Sequence, residues 1–105
     1  MLRIYYVMLD VIRSMRPAVA AIEMHDRDLA RQIRRAASSV VLNVAEGSGG
    51  AGGTRRQRYR DALGSARETR GCLDSALAWG YADGIEPAVE AGLREVIGTL
   101  VNVLR

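Results

Sequence analysis

Arginine is the residue type in this sequence whose number and spacing point most directly to chemistry. The chain has fifteen arginines and no lysine, and a guanidinium binds a phosphate through two parallel hydrogen bonds. Eight of these arginines form two groups, Arg27, Arg31, Arg34 and Arg35, and then Arg55, Arg56, Arg58 and Arg60. We expect the two groups to bind a polyanion, RNA or DNA. The alternative is a solvated face whose arginines pair with Asp28, Asp61 or a neighbouring subunit.

The charge is distributed unevenly along the chain. Residues 27–70 hold ten arginines against four acidic residues, a net +6, whereas the other residues hold five against eight, a net −3. The second group of arginines is unfavourably placed, because cations oppose the macrodipole at a helix N-terminus. A bound anion would relieve this conflict. The absence of lysine is itself better explained by a GC-rich coding sequence, which also accounts for the absence of phenylalanine.

A second candidate group consists of four polar residues, Gln32, Ser39, Asn43 and Glu46. On an α-helix they share a strip about 60° wide beside the apolar face. Amide, hydroxyl and carboxylate groups in this position are typical of hydrogen bonds to another helix. They are also able to bind an arginine of a neighbouring subunit and thereby to fix the register of an assembly.

No arrangement of residues indicates catalysis, metal binding or a cofactor. Gly47, Gly49 and Gly52 match G-x-G-x-x-G, but a dinucleotide site requires a strand before the loop, and here a helical pattern precedes it. His25 has neither a nucleophile nor a second histidine to accompany it, which favours a surface or capping role. Cys72 is the single cysteine, which excludes an internal disulfide and favours a packing role. We therefore expect no catalytic residue, no metal and no cofactor.

Three further features each allow two interpretations. Trp79 and Tyr81 are expected to anchor a helix end against the core, with base stacking as the alternative. Gly64 and Gly71 indicate either a close helix approach, within the bundle or between subunits, or compositional drift. A set of apolar residues outside the expected core favours burial in an assembly over scattered exposure. Its members are Tyr6, Leu9, Ala20, Met24 and Leu42.

The elements that must position these residues are helices, because apolar residues recur at steps of three and four. Asp26 suits the start of a second helix and Pro87 the first turn of a fourth. The pattern predicts one all-α domain over 1–105, an antiparallel up-down four-helix bundle. Its helices are expected at about 3–24, 27–46, 54–80 and 86–104. The glycine-rich segment 47–53 is expected to be a flexible loop.

The predicted core consists of one apolar stripe on each helix. The stripes are Ile4, Met8, Val11, Met15, Val19 and Ile22; Leu29, Ile33, Ala36, Val40 and Val44; Tyr59, Leu63, Ala66, Leu73 and Leu77; Val89, Leu93, Val96, Leu100 and Val103. Pro17 lies away from the first stripe, so it is expected to kink the first helix without ending it. Thr54 and Gln57 have the spacing of a capping box for the third helix.

Two stretches are similar to a known family. Gln32–Val40 with Leu42–Gly47, and downstream Tyr59-Arg60, Ala62–Glu68 and Trp79–Tyr81, resemble the four-helix-bundle family encoded in 23S rRNA intervening sequences. That family includes the accessory variability determinant of diversity-generating retroelements. The resemblance implies an antiparallel four-helix bundle that assembles as a homopentameric barrel. It also implies a basic surface that binds RNA or DNA and, in the retroelement branch, docks to a reverse transcriptase, with no catalytic activity.

We therefore expect a non-enzymatic nucleic-acid-binding protein that acts as a basic oligomeric ring. In one version of this hypothesis, the ring is an accessory of a retroelement reverse transcriptase. The alternative is a scaffold that binds a reverse transcriptase or another acidic partner without contacting nucleic acid. No apolar run approaches the roughly 18 residues that span a membrane, and the apolar run from Ile4 to Leu9 is too short for a signal peptide. A cytoplasmic location is the corresponding expectation.

Overall fold

Four α-helices and their connections make up the computed structural model, which describes residues 1–105. The helices are α1 (Arg3–His25), α2 (Arg27–Gly49), α3 (Gly52–Ala78) and α4 (Pro87–Val103). The side chain of Asp26 accepts a hydrogen bond of 2.9 Å from the Leu29 N–H and so caps α2, as predicted. Pro87 occupies the first turn of α4, where its missing N–H has no intrahelical partner to lose.

The four helices pack in a ring, each against its two neighbours: α1 on α2, α2 on α3, α3 on α4, and α4 on α1. Asp26 alone separates α1 from α2, and two residues separate α2 from α3, so consecutive helices run antiparallel. The resulting bundle measures 42 × 24 × 20 Å. The expected all-α fold with four helices is confirmed. None of these helices combines the length and the apolar character that a membrane crossing requires.

The core follows the predicted stripes closely. All stripe residues are buried except Leu29 and Leu63, which are half-buried, and Leu77 and Val103, which are exposed. The buried face of α3 contains Tyr59, Ala62, Ala66, Thr69, Cys72, Leu73 and Ala76. Leu63 and Leu77 each follow a buried alanine by one position, about 100° around the helix, and so lie at the edge of this face.

The prediction of a flexible loop over 47–53 is wrong. Helix α2 continues to Gly49 and α3 begins at Gly52, so the connection consists of Gly50 and Ala51. Gly47 is buried, and a Cβ built on it would lie 2.4 Å from Cε1 of Tyr59. The missing side chain at Gly47 thus serves the close approach of a helix to an aromatic ring, and the backbone stays helical because that packing requires it.

The expected capping box of α3 does not form. Ala51 is the N-cap and contributes no side-chain hydrogen bond. Because α3 begins before Thr54, that residue lies within the helix, and the side-chain amide of Gln57 donates to Asp61 at 3.0 Å instead. Pro17 is exposed on the outer side of α1, and the helix continues through it, as predicted.

Candidate nucleic-acid interface

The outward face of α2 carries three exposed arginines on successive turns, Arg27, Arg31 and Arg35. They lie opposite the buried side that contains Ile33 and Val40, as the helical spacing dictates. Arg31 is 3.9 Å from a carboxylate oxygen of Asp28, a long contact between two exposed groups. Neither Arg27 nor Arg35 forms an ion pair. Their guanidinium groups are therefore available to a ligand.

Arg34 differs from the other arginines of α2 because it faces α1. Its Nη2 donates to Oε1 of Glu23 at 2.8 Å, across the hairpin that the two helices form. This hydrogen bond and the positive charge of Arg34 lower the pKa of Glu23, and Arg27 lowers it further. The same contact raises the pKa of Arg34. Arg34 thus joins α1 to α2, and its charge is largely compensated within the chain.

Three arginines in the first turns of α3 bind groups at the C-terminal ends of neighbouring helices. Arg55 donates to the Gly50 carbonyl at the end of α2, with distances of 3.2 Å from Nε and 2.8 Å from Nη2. Arg56 donates to the Leu104 carbonyl at the end of α4.

Arg58 pairs with Glu46 in the last turns of α2, at 3.0 Å. Because α2 and α4 run antiparallel to α3, their negative dipole ends lie beside the start of α3 and stabilise these cations. The unfavourable placement of these cations at a helix N-terminus is thus offset within the chain, without an external anion. Arg60 remains exposed and forms no hydrogen bond or ion pair.

The eight predicted arginines do not form a single cluster, because the first halves of α2 and α3 lie at opposite ends of the bundle. An open groove between these two helices connects the groups, with Arg31 and Arg35 toward one end and Arg58 toward the other. Fifteen residues of α2 separate Arg31 from Glu46, the partner of Arg58, which corresponds to about 22 Å at 1.5 Å per residue. Three acidic residues also line the groove, Asp28, Glu46 and Glu68. The groove is thus lined by three arginines and three carboxylates, and the exposed arginines without an ion pair include Arg27 and Arg35 on α2 and Arg60 and Arg67 on α3.

The predicted polar strip lies along this groove and is hydrogen bonded to α3. Gln32 donates to Glu68 at 3.5 Å, and Glu46 accepts from Arg58 as described above. Between them the Ser65 hydroxyl donates to Oγ of Ser39 at 2.8 Å.

Asn43 supports the central contact of the strip from within α2. Its side-chain amide donates to the carbonyl of Ser39 at 2.9 Å and to Oγ of Ser39 at 3.0 Å. No buried polar side-chain atom of the protein is left without a partner. The strip therefore joins α2 to α3 within one chain, and its part in an assembly stays a prediction.

Trp79 and Tyr81, at the end of α3, differ in whether they anchor the helix end against the core or present a surface for base stacking. Tyr81 is half-buried and packs against the core, whereas Trp79 is 72% exposed. The exposed ring of His25 lies parallel to that of Tyr81, at 5.2 Å between centroids. Tyr81 therefore anchors the helix end, but Trp79 does not. No sequence pattern predicts that His25 packs against Tyr81, because His25 lies at the end of α1, far from Tyr81 in the sequence.

The apolar residues considered for subunit contacts are exposed in the single chain, except Leu9, which is half-buried. Tyr6, Met24 and Leu42 are large apolar side chains at the surface. Gly64 and Gly71 are also exposed, and a Cβ added at either would have no neighbouring atom within 4 Å. The interpretation that these glycines allow a close helix approach within the bundle is therefore wrong. A close approach between subunits at these positions stays a prediction.

Cys72 is buried, as its predicted packing role requires, and its burial and the nearby charge of Glu68 raise the pKa of its thiol. A raised pKa disfavours the reactive thiolate. No group of three or more histidine, cysteine, aspartate or glutamate side chains is arranged to hold a metal ion.

Comparison with known proteins agrees with the resemblance in the sequence. No curated protein and no solved structure matches this chain. The family model described as 23S rRNA-intervening sequence protein matches residues 11–100. The match covers most of the chain and includes α2, α3 and the groove between them. This chain therefore belongs to the 23S rRNA-intervening sequence protein family.

Proposed function

We propose that this protein is a non-enzymatic RNA- or DNA-binding protein whose binding surface is the outward face of α2. The observation that carries the proposal is the row Arg27, Arg31 and Arg35, exposed on successive turns, of which Arg27 and Arg35 form no ion pair and Arg31 has only the 3.9 Å contact with Asp28. Residues four apart on a helix are about 6 Å apart along its axis, so one polyanion lying along α2 reaches all three guanidinium groups. Such contacts to phosphates position a nucleic acid without reading its sequence.

The remaining polar groups of the groove support a binding role over a catalytic one. The side chains of the polar strip are hydrogen bonded to one another or to α3. Groups engaged in this way stabilise the α2–α3 pair and present a fixed surface to a ligand. The family takes its name from 23S rRNA, which favours RNA as the first polyanion to test.

The proposed nucleic-acid binding is tested by measuring the affinity of the protein for RNA and for DNA across a salt series. Three phosphate contacts predict a slope of log K against log salt of about −2.7 for duplex DNA and about −2 for a single strand. An assembly that engages several subunits gives a steeper slope. Absence of binding at low salt, or binding that does not respond to salt, would contradict the proposal.

We further propose that the protein acts as an oligomeric ring, with the homopentamer as the state implied by the family resemblance. The exposed Tyr6, Met24 and Leu42 and the exposed glycines of α3 support burial between subunits. A pentamer multiplies the net charge of +3 per chain fivefold, and several subunits then engage one polyanion with increased avidity. Light scattering is expected to give five times the chain mass of 11.4 kDa. A mass equal to one chain at working concentration would contradict the ring.

A scaffold function is the second candidate, favoured by one observation. Leu42 is 61% exposed and lines the α2–α3 groove, to which Arg31, Arg35 and Arg58 also contribute. An apolar side chain in a groove that also presents arginines suits an acidic protein segment, such as one on a reverse transcriptase. In this case the Leu42→Ser variant loses the protein partner, and the unmodified protein binds no nucleic acid in the salt series.

A further inference from the structure

The end of α3 presents an exposed tryptophan on a rigid support. Trp79 is the only tryptophan of the chain, and 72% of it is exposed. Directly after it, Gly80 adopts a φ of +76°, which favours glycine because it has no Cβ. The Gly80 N–H donates to the Leu77 carbonyl at 3.0 Å, and the Tyr81 N–H to the Ala76 carbonyl at 2.9 Å. These two bonds are a Schellman motif, which fixes the backbone that carries both aromatic rings.

Three rings at this end of the bundle are nearly parallel. The planes of Tyr81 and His25 differ by 8°, with 5.2 Å between centroids, and those of Trp79 and Tyr81 by 16°, with 6.4 Å. Tyr81 packs against the core and so holds the group in place. The three rings form an offset stack in which Tyr81 contacts the two others and both His25 and Trp79 are exposed. A planar aromatic ligand can extend this stack.

This aromatic stack adjoins the arginines of α2. His25 lines a shallow depression together with Arg27 and Arg31, and Arg31 also lines the α2–α3 groove. Three acidic residues lie in the same depression, Glu23, Asp26 and Asp28. Asp26 accepts a hydrogen bond from the backbone of α2, Glu23 is paired with Arg34, and Asp28 is 3.9 Å from Arg31. The surface from the stack to the groove thus combines aromatic rings with exposed arginines, of which Arg27 forms no ion pair.

Building on the function proposed above, we infer that the nucleic acid is single-stranded where it meets this end of the bundle. An unpaired base stacks on Trp79, while Arg27 and Arg31 contact the adjoining phosphates. Stacking on aromatic side chains next to a basic surface is the mode by which proteins hold single strands irrespective of sequence. A duplex does not offer its bases in this way, because they are stacked on one another along its length. The aromatic stack therefore selects single strands over duplexes.

The emission of Trp79 reports directly on this interaction, since no other tryptophan contributes to it. We expect an oligouridine of about 15 nucleotides to quench this emission, and a duplex RNA of equal length to leave it largely unchanged. The Trp79→Ala variant is expected to bind the oligouridine about 5- to 100-fold more weakly than the unmodified protein. Its affinity for the duplex should not change. Trp79→Phe is the matched control, because phenylalanine keeps an aromatic ring at the same position and should retain most of the affinity for the oligouridine, as measured by filter binding.

The outcomes separate this inference from the proposed function. If the unmodified protein binds neither nucleic acid, the proposed function fails and this inference fails with it. If the protein binds but Trp79→Ala retains full affinity for the oligouridine, only the stacking inference is overturned. If Trp79→Ala instead changes the mass measured by light scattering and leaves binding intact, Trp79 is a subunit contact and the inference is likewise overturned.

Discussion

Replacing Gly47 with alanine is expected to lower the free energy of unfolding by about 1–2 kcal/mol, although alanine is the better helix former. Gly47 lies within α2 and is buried, and an added Cβ would overlap the ring of Tyr59, 2.4 Å from Cε1 and 2.7 Å from Cδ1. That ring is 5% exposed, so a shift that accommodates the added Cβ disturbs its buried neighbours. Overpacking of a rigid side chain therefore outweighs the gain in helix propensity. Urea unfolding followed by circular dichroism, at one fixed chain concentration, measures the change.

Gly98 provides the matched control for this substitution. It also lies within a helix, α4, but it is exposed and nothing lies within 4 Å of the added Cβ. Gly98→Ala should raise the free energy of unfolding by about 0.5–1 kcal/mol. In a Tyr59→Leu background, Gly47→Ala should cost little, because the ring that it meets is gone. A Gly47→Ala variant as stable as the unmodified protein would contradict the close approach of α2 to Tyr59.

The double variant Arg31→Glu with Arg35→Glu is expected to bind nucleic acid about 100-fold more weakly, since each charge-assisted contact contributes about tenfold or more. The slope of the salt dependence should become shallower by about 1.8, because two phosphate contacts are lost. Both side chains are exposed and neither forms a close ion pair, so the helix content should be unchanged. Filter binding across the salt series gives the affinities, and circular dichroism checks the fold.

A second double variant controls for net charge. Arg13→Glu with Arg94→Glu changes the charge by the same amount on α1 and α4, at exposed arginines that pair with carboxylates of their own helices. Its binding should weaken much less, because these arginines lie on α1 and α4 rather than on the face of α2, and their charges are partly compensated by those carboxylates. Equal losses in the two double variants would mean that the total charge of the protein, rather than the face of α2, determines binding.

The helices and most of the core were predictable because the information for them is local. The stripe on α1 repeats at steps of three and four, and all six of its residues are buried. Asp26 caps α2 through a hydrogen bond to a residue three positions later, which a sequence pattern can express. The outward row of arginines on α2 follows from the same periodicity, since residues opposite a buried stripe face solvent.

The features that were missed depend on contacts between helices. In the sequence, Gly47 has the neighbours of a flexible-loop glycine, and its role follows only from the packing of Tyr59 of α3 against it. Arg55 and Arg56 bind backbone carbonyls of Gly50 and Leu104. Because every residue has a backbone carbonyl, the sequence does not indicate which carbonyl lies within reach of these two arginines. The division of the arginines into two distant groups has the same origin, because it follows from the antiparallel direction of α3.

The short connections between helices have a consequence for the rate of folding. One residue joins α1 to α2 and two residues join α2 to α3, so each of these pairs closes with a small loss of chain entropy. Only the contact between α1 and α4 joins segments from the two ends of the chain. Contacts that are mostly local in sequence are typical of helical domains that fold within microseconds to milliseconds. The α1–α2–α3 unit is therefore expected to form early, and α4 is expected to dock last and to cover the apolar faces of α1 and α3.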